Sequence, residues 1–267
     1  DRAIVSQLLT LTSVSYLIDL ADQADVEAVH RVREGLANGL AERLCERFAA
    51  VFEANTEASE FSIEADAIAR RALKNTCLGY LVRTGRQEFI DACRQQFSEA
   101  TNMTDQHAAL RLLHHTDSVP EALGNEALAA FYQQWQHEPL VVDQWFTIQS
   151  TCPRAGSLSR VESLLEHDKF ALRIPNKVRA VIGAYCAGNH VNFHAADGSG
   201  YRFLGDRVLE LDPINPQIAA RLLTPLTRWK KFDPARQQLM RDQLQRLRAA
   251  GQLSKDVFEV VEKSAAA

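Results

Sequence analysis

No uninterrupted apolar run in the 267 residues approaches the roughly 18 that a membrane-spanning helix requires, so no membrane partner is expected. No C-x-x-C pair occurs either. The five cysteines (Cys45, Cys77, Cys93, Cys152 and Cys186) are odd in number and widely spaced, which fits buried free thiols of a reducing, cytoplasmic compartment better than disulfides or a metal cage. Aromatic residues make up 7% of the chain and the formal net charge is −4, a balance that argues against a dedicated nucleic-acid binder. There is no H-E-x-x-H helix, no G-K-[ST] ending to a phosphate loop and no G-x-S-x-G elbow, so these residues carry no catalytic apparatus of their own. Nor is there a run of alternating polar and apolar residues long enough for a strand. The first residue is Asp1 rather than Met, and the expectation is a segment of something longer.

What is present is helical periodicity. With 46% hydrophobic and 24% charged residues the chain can bury a sizeable core. Between Val26 and Phe52 the apolar residues Val29, Val32, Leu36, Leu40, Leu44, Phe48 and Val51 recur every three or four positions, one stripe of a long amphipathic helix. Ser118-Val119-Pro120-Glu121 and Ser159-Arg160-Val161-Glu162 have the spacing of capping boxes. Asn215-Pro216 and Asp233-Pro234 put a capping side chain before a proline that suits the first helical position, and Pro139 and Pro175 also suit helix starts. These starts recur every 14 to 21 residues or so, which pairs them into units of about 35 to 40 residues. The expectation is an all-α fold over residues 1–267 as a single domain: a right-handed stack of helical hairpins, a HEAT-like α-solenoid superhelix with a concave inner face. Function is expected inside that curve.

His190-Val191-Asn192-Phe193-His194 places two imidazoles at i and i+4, the spacing that grips zinc in metallopeptidases, but Val191 supplies no carboxylate. The position for a third ligand in such enzymes is taken by Pro213, and Glu210 has the wrong spacing, so the chain is expected to hold no metal. Asp197-Gly198-Ser199-Gly200-Tyr201 reads as a glycine turn before a helix near Tyr201, not a phosphate loop. Charge is uneven: residues 1–66 carry thirteen acidic and five basic side chains, whereas 201–250 carry ten basic and five acidic. The second stretch suits acidic partners or phosphates.

Several segments carry a family resemblance. They are Asn102-Met103-Thr104-Asp105, Val142-Asp143-Gln144-Trp145-Phe146, the run from Pro175 to Gly183, the run from Phe193 to Tyr201, and the run from Asn215 to Leu222. In order and spacing they resemble the C-terminal helical domain of the bacterial aminopeptidase N family of zinc gluzincin peptidases. The resemblance implies a cytoplasmic, zinc-dependent enzyme that removes N-terminal residues from peptides, its zinc bound by a domain absent from these residues. It implies no cofactor in this segment, a non-catalytic role walling the active-site chamber and substrate path, and two partners, the catalytic domain of the same polypeptide and peptide substrates. Arg179 and Arg221 match family arginines that project toward the substrate, and their planar forks of donors suit carboxylates and carbonyls. Asp143 and Asn102 are weaker candidates for the same path, with caps or interhelical hydrogen bonds as their other roles. The remaining alternative is a free-standing helical scaffold that binds a protein in its concave face.

Overall fold

Prolines and capping side chains fix most helix starts. In the computed structural model, which describes residues 1–56 and 61–266, helices begin at Pro139, Pro175, Pro216 and Pro234, where a missing N–H leaves nothing unsatisfied. Asn215 Oδ1 accepts from Ile218 N at 3.2 Å. Asp233 Oδ1 accepts from Ala235 N and Arg236 N, both at 3.0 Å. The fold is all-α, and the described residues contain one isolated parallel bridge, Ala24 with Phe232, but no strand. All five cysteines are free and buried, as anticipated.

Four local expectations are corrected. The stripe from Val26 to Phe52 divides into two helices, Val26–Arg43 and Cys45–Ala54, with Leu44 between them. Its buried face runs through Ala37, Ala41, Cys45 and Phe48, while Val32 and Leu36 stay exposed; small side chains let neighbouring helices approach there. Neither proposed capping box forms. Ser118 Oγ donates instead to Val82 O at 2.7 Å, and its helix starts at Glu121. Ser159 lies inside the helix Ser157–Leu165, because Gly156 (φ 73°) turns the chain into it earlier, a left-handed backbone that glycine adopts without strain. The fourth correction concerns Pro225: its ring removes one backbone hydrogen bond, and the sequence predicts a bend there in a helix from about 216 to 229, but the helix ends instead. The helix Pro216–Leu222 stops and a new turn, Thr224–Thr227, opens with Pro225 in its first positions. Thr224 Oγ1 donates to Arg221 O at 2.8 Å, supplying a donor that the proline ring cannot.

The chain forms two compact units. The first comprises Asp1–Thr12 and Arg31–Gln136, the second Ser13–His30 and His137–Ala267. In the first, Ala37, Ala41, Cys45, Phe48, Leu73, Cys77, Tyr80 and Leu81 form one buried cluster. Phe48 and Tyr80 stack with ring centroids 4.5 Å apart, and Tyr80 Oη donates to Leu9 O at 2.6 Å, so an aromatic pair both fills the core and ties down the helix Arg2–Leu9. Asp105 is held by Lys74 Nζ at 2.7 Å and Asn75 Nδ2 at 2.8 Å, a buried carboxylate whose partners are all present.

In the second unit the N-terminal segment packs against residues more than two hundred positions later. Ala24 N donates to Lys231 O at 2.6 Å, and Lys231 Nζ reaches Asp19 O and Ala21 O at 3.1 and 2.9 Å. The lysine thereby serves carbonyls at the end of the helix Val14–Leu20, whose C-terminal partial charge favours a cation. The helix Ser199–Leu211 starts where Gly198 adopts φ 69°. A Cβ on Gly200 would stand 2.2 Å from Phe193 O, so the backbones there touch with no room for a side chain. The glycine-rich stretch is therefore a packing turn.

Gly200→Ala is expected to lower stability by about 3 kcal/mol or more, because the obstacle is backbone. Gly39→Ala, where nothing lies within 4 Å, is expected to raise stability by up to about 1 kcal/mol through helix propensity. Urea unfolding of the two variants checks both signs.

Candidate functional site

A hollow of the second unit is built by short helices and the turns between them. The run from Pro175 to Gly188 contains a π turn, Arg179–Gly183, between the α-helical pieces Pro175–Val178 and Ala184–Gly188. One added residue in a helix rotates the subsequent residues by about 100°, so an uninterrupted α-helix over this run would set these side chains differently. Val178, Val181, Ile182, Tyr185 and Cys186 are all buried. Their helix, the turns around Leu222 and Pro225, the segment carrying Ser15 and Ile18, and Phe232 surround a cavity of about 300 Å³.

The cavity has an apolar floor of Ile18, Cys186, Ile218, Leu222 and Phe232, and three arginines, Arg179, Arg221 and Arg228, line it as well. No acidic residue is among the lining. Arg228 is paired with Asp19. Arg179 donates only to a neutral partner, Asn176 Oδ1, at 3.1 Å, and among the described residues neither Arg179 nor Arg221 has a carboxylate partner. Both side chains are exposed. Two guanidinium forks thus stand beside an apolar hollow with their donors available.

His190 and His194 form another wall. Their rings are parallel within 5°, centroids 6.2 Å apart, and His194 stacks on Phe232 at 4.2 Å. His194 Nδ1 shares a 2.9 Å hydrogen bond with Tyr201 Oη, and Arg236 Nε donates to its backbone oxygen at 2.7 Å. Burial lowers the His190 pKa. At His194, burial first, then the His190 and Arg236 charges, lower it to about 3. Both imidazoles are consequently neutral at pH 7, and burial holds the Cys186 thiol protonated. These histidines do not fit a metal: one ring nitrogen is already bonded to Tyr201, and the described residues contain no grouping of three or more His, Cys, Asp or Glu that would close a coordination set. With its apolar floor and its arginine forks, the site is chemically suited to binding and orientation.

The four candidates from sequence separate. Arg179 and Arg221 line the same cavity. Asp143 shares a shallower hollow with Arg179, but its carboxylate is engaged by Lys177 Nζ at 2.6 Å. Asn102 belongs to the first unit, where it caps the helix Met103–His115 by accepting from Asp105 N at 3.0 Å. Arg228 was visible in the sequence only as part of a basic run. Ser15 and Ile18 gave no signal, since nothing local ties them to residues near 186 or 222.

Several comparisons bear on these residues. A family model described as a domain of unknown function (DUF3458_C) with ARM repeats matches residues 1–266. Aminopeptidase N of Escherichia coli (strain K12) is 40% identical over 269 aligned residues, covering 100% of the chain and 30% of the relative. Aminopeptidase N of Caulobacter vibrioides is 36% identical over 264, covering 99% and 30%. The chain therefore spans about 30% of the length of these relatives. The crystal structure of Legionella pneumophila aminopeptidase A in complex with aspartic acid superimposes with a TM-score of 0.90 at 29% identity, over 98% of this chain and 31% of that one.

The depressed His194 pKa predicts a pH effect with a definite sign. Below the unfolded value of 6.5 the unfolded chain takes up a proton that the folded chain refuses until about pH 3, so stability falls as pH drops through that window, by about 1.4 kcal/mol per unit at most. Between pH 6.5 and 5 the native chain should lose about 2 kcal/mol more than His194→Gln, measured by urea unfolding at both pH values.

Proposed function

The chain belongs to the ARM-repeat family described as a domain of unknown function (DUF3458_C), and we propose on that premise that it is the non-catalytic C-terminal domain of a zinc metallo-aminopeptidase. In this reading all 267 residues act as one helical domain of a cytoplasmic enzyme that removes N-terminal amino acids from peptides. The domain packs on the catalytic domain of the same polypeptide, encloses the active-site chamber and lines the substrate path. Zinc is bound outside this segment, in agreement with the poor fit of His190 and His194 to a metal.

The observation that carries the proposal is the cavity flanked by Arg179 and Arg221, in a chain similar along its whole length to aminopeptidase N of two bacteria. Peptide backbones offer carbonyls and a terminal carboxylate to a guanidinium fork, and the apolar floor accepts a side chain beyond the scissile bond. Buried free thiols agree with a reducing compartment. Asp143 and Asn102 contribute to the path indirectly, by fixing the helices on which they sit.

In the complete polypeptide, Arg221→Ala is expected to change peptide turnover by a few-fold to tens-fold, about 1–2 kcal/mol. A zinc chelator should abolish turnover by the complete polypeptide, whereas the 267-residue segment should hydrolyse no aminoacyl anilide at all. Peptide kinetics unchanged by Arg221→Ala would remove that residue from the substrate path, and zinc-dependent turnover by the segment alone would overturn the non-catalytic assignment.

A further inference from the structure

We propose that a second hollow, wholly within the first unit and independent of the peptide path, binds a small dianionic oxyanion. The hollow encloses about 280 Å³, and Arg33, Arg83 and Arg111 all line it. They come from three different helices, Val26–Arg43, Ala65–Arg83 and Met103–His115, so their convergence is a product of tertiary packing and not of a local basic run.

The charges are not balanced from within. Arg83 Nη1 donates to Glu34 Oε2 at 2.5 Å and to Asn38 Oδ1 at 3.1 Å. Arg33 Nη1 reaches Glu34 Oε1 at 3.1 Å, while its Nε donates to Thr12 O at 2.9 Å. One carboxylate thus serves two guanidinium groups, and no acidic residue lines the hollow. Arg111 has no carboxylate partner among the described residues, yet its side chain remains accessible to solvent. Two positive charges are left uncompensated in a concave, partly apolar enclosure, where field lines concentrate and an anion is favoured. The surroundings register this excess. Enclosure by the groove walls, then the Arg33 and Arg83 charges, lower the Arg111 pKa; burial, then the Arg111 charge, lower that of His107 one turn earlier. An unliganded cluster of this kind repels itself, and a doubly charged oxyanion would neutralise it while filling the free fork of Arg111 bidentately.

Hydrogen phosphate and a short dicarboxylate share that chemistry, and the experiment separates them. The complete polypeptide is titrated calorimetrically with inorganic phosphate, with succinate and with acetate at matched ionic strength, and its thermal unfolding is followed in each. Saturable binding of phosphate or succinate is expected, with a rise in Tm that follows ligand concentration, and none with acetate. The dianion that binds more tightly identifies the source. Arg111→Gln should weaken that binding at least about tenfold and erase the Tm gain, without lowering the Tm in anion-free buffer, since a repulsive charge has been removed. Arg111→Lys should fall between, keeping the charge and losing the fork. The proposal is overturned by an absence of saturable binding of both dianions up to about 10 mM, which includes the case of an acidic segment of the polypeptide filling the hollow. Binding unchanged in Arg111→Gln, or an anion-free Tm lowered by that substitution, would overturn it equally.

Discussion

A single buried guanidinium, that of Arg236, joins three stretches of chain that the sequence keeps far apart. Its Nε donates to His194 O at 2.7 Å, its Nη1 to Asp233 Oδ2 at 2.8 Å, and its Nη2 to Glu27. The Asp233 and Glu27 carboxylates hold its charge in place, raising its pKa against the opposing effect of burial, and Asp233 also caps the helix from which Arg236 projects. Removal of any one partner would leave a charge or a carbonyl unsatisfied in a place water reaches poorly, which is the expensive way to lose a buried interaction. The cavity of the second unit depends on this junction. His194 forms part of its wall, and the segment ending at Glu27 brings Ser15 and Ile18 to its floor.

Helix type and the helix starts marked by proline were legible in the sequence because their causes are local. A proline after Asn215 or Asp233 determines a helix N-terminus within three residues, whatever the rest of the chain does. Where the cause is tertiary, the reading fails. Ser118 has the spacing of a cap, but a carbonyl from the helix Ala65–Arg83 claims its hydroxyl. Ser159 fails for a local reason, since Gly156 turns the chain three residues sooner. The π turn at Arg179–Gly183 has no sequence signature, since it reflects how a helix settles against its neighbours. The site follows the same division. Arg179 and Arg221 could be named from the family resemblance, yet the cavity they share is also lined by Ile18 and Phe232, which are joined to it by packing alone. Arg111 escaped notice entirely, because a basic cluster drawn from three helices leaves no run in the sequence.

Arginine performs opposite tasks in this molecule, and its surroundings decide which. Arg236 is nearly inaccessible and fully partnered, so it works as a rivet. Arg228 is neutralised by Asp19 and can only shape the cavity beside it. Among the described residues Arg179, Arg221 and Arg111 have no carboxylate partner, and all three remain accessible, so their donors are available to something else. A planar fork that stays charged at any physiological pH suits both roles; lysine, a point charge, would not close the Arg236 junction in the same way.

The early segment Ser13–His30 belongs to the same compact unit as His137–Ala267, and this has a consequence for synthesis on the ribosome. Ile18 and Ala24, each about 1% exposed in the finished fold, emerge long before Lys231 and Phe232, which bond and pair with Ala24, Phe232 also lining the cavity beside Ile18. At elongation rates of about 5–20 residues per second, the nascent chain carries an unpaired apolar hook for ten seconds or more. Loop closure over two hundred residues is also a slow, entropically costly event. Assembly of this unit therefore cannot be complete before Phe232 has left the ribosome.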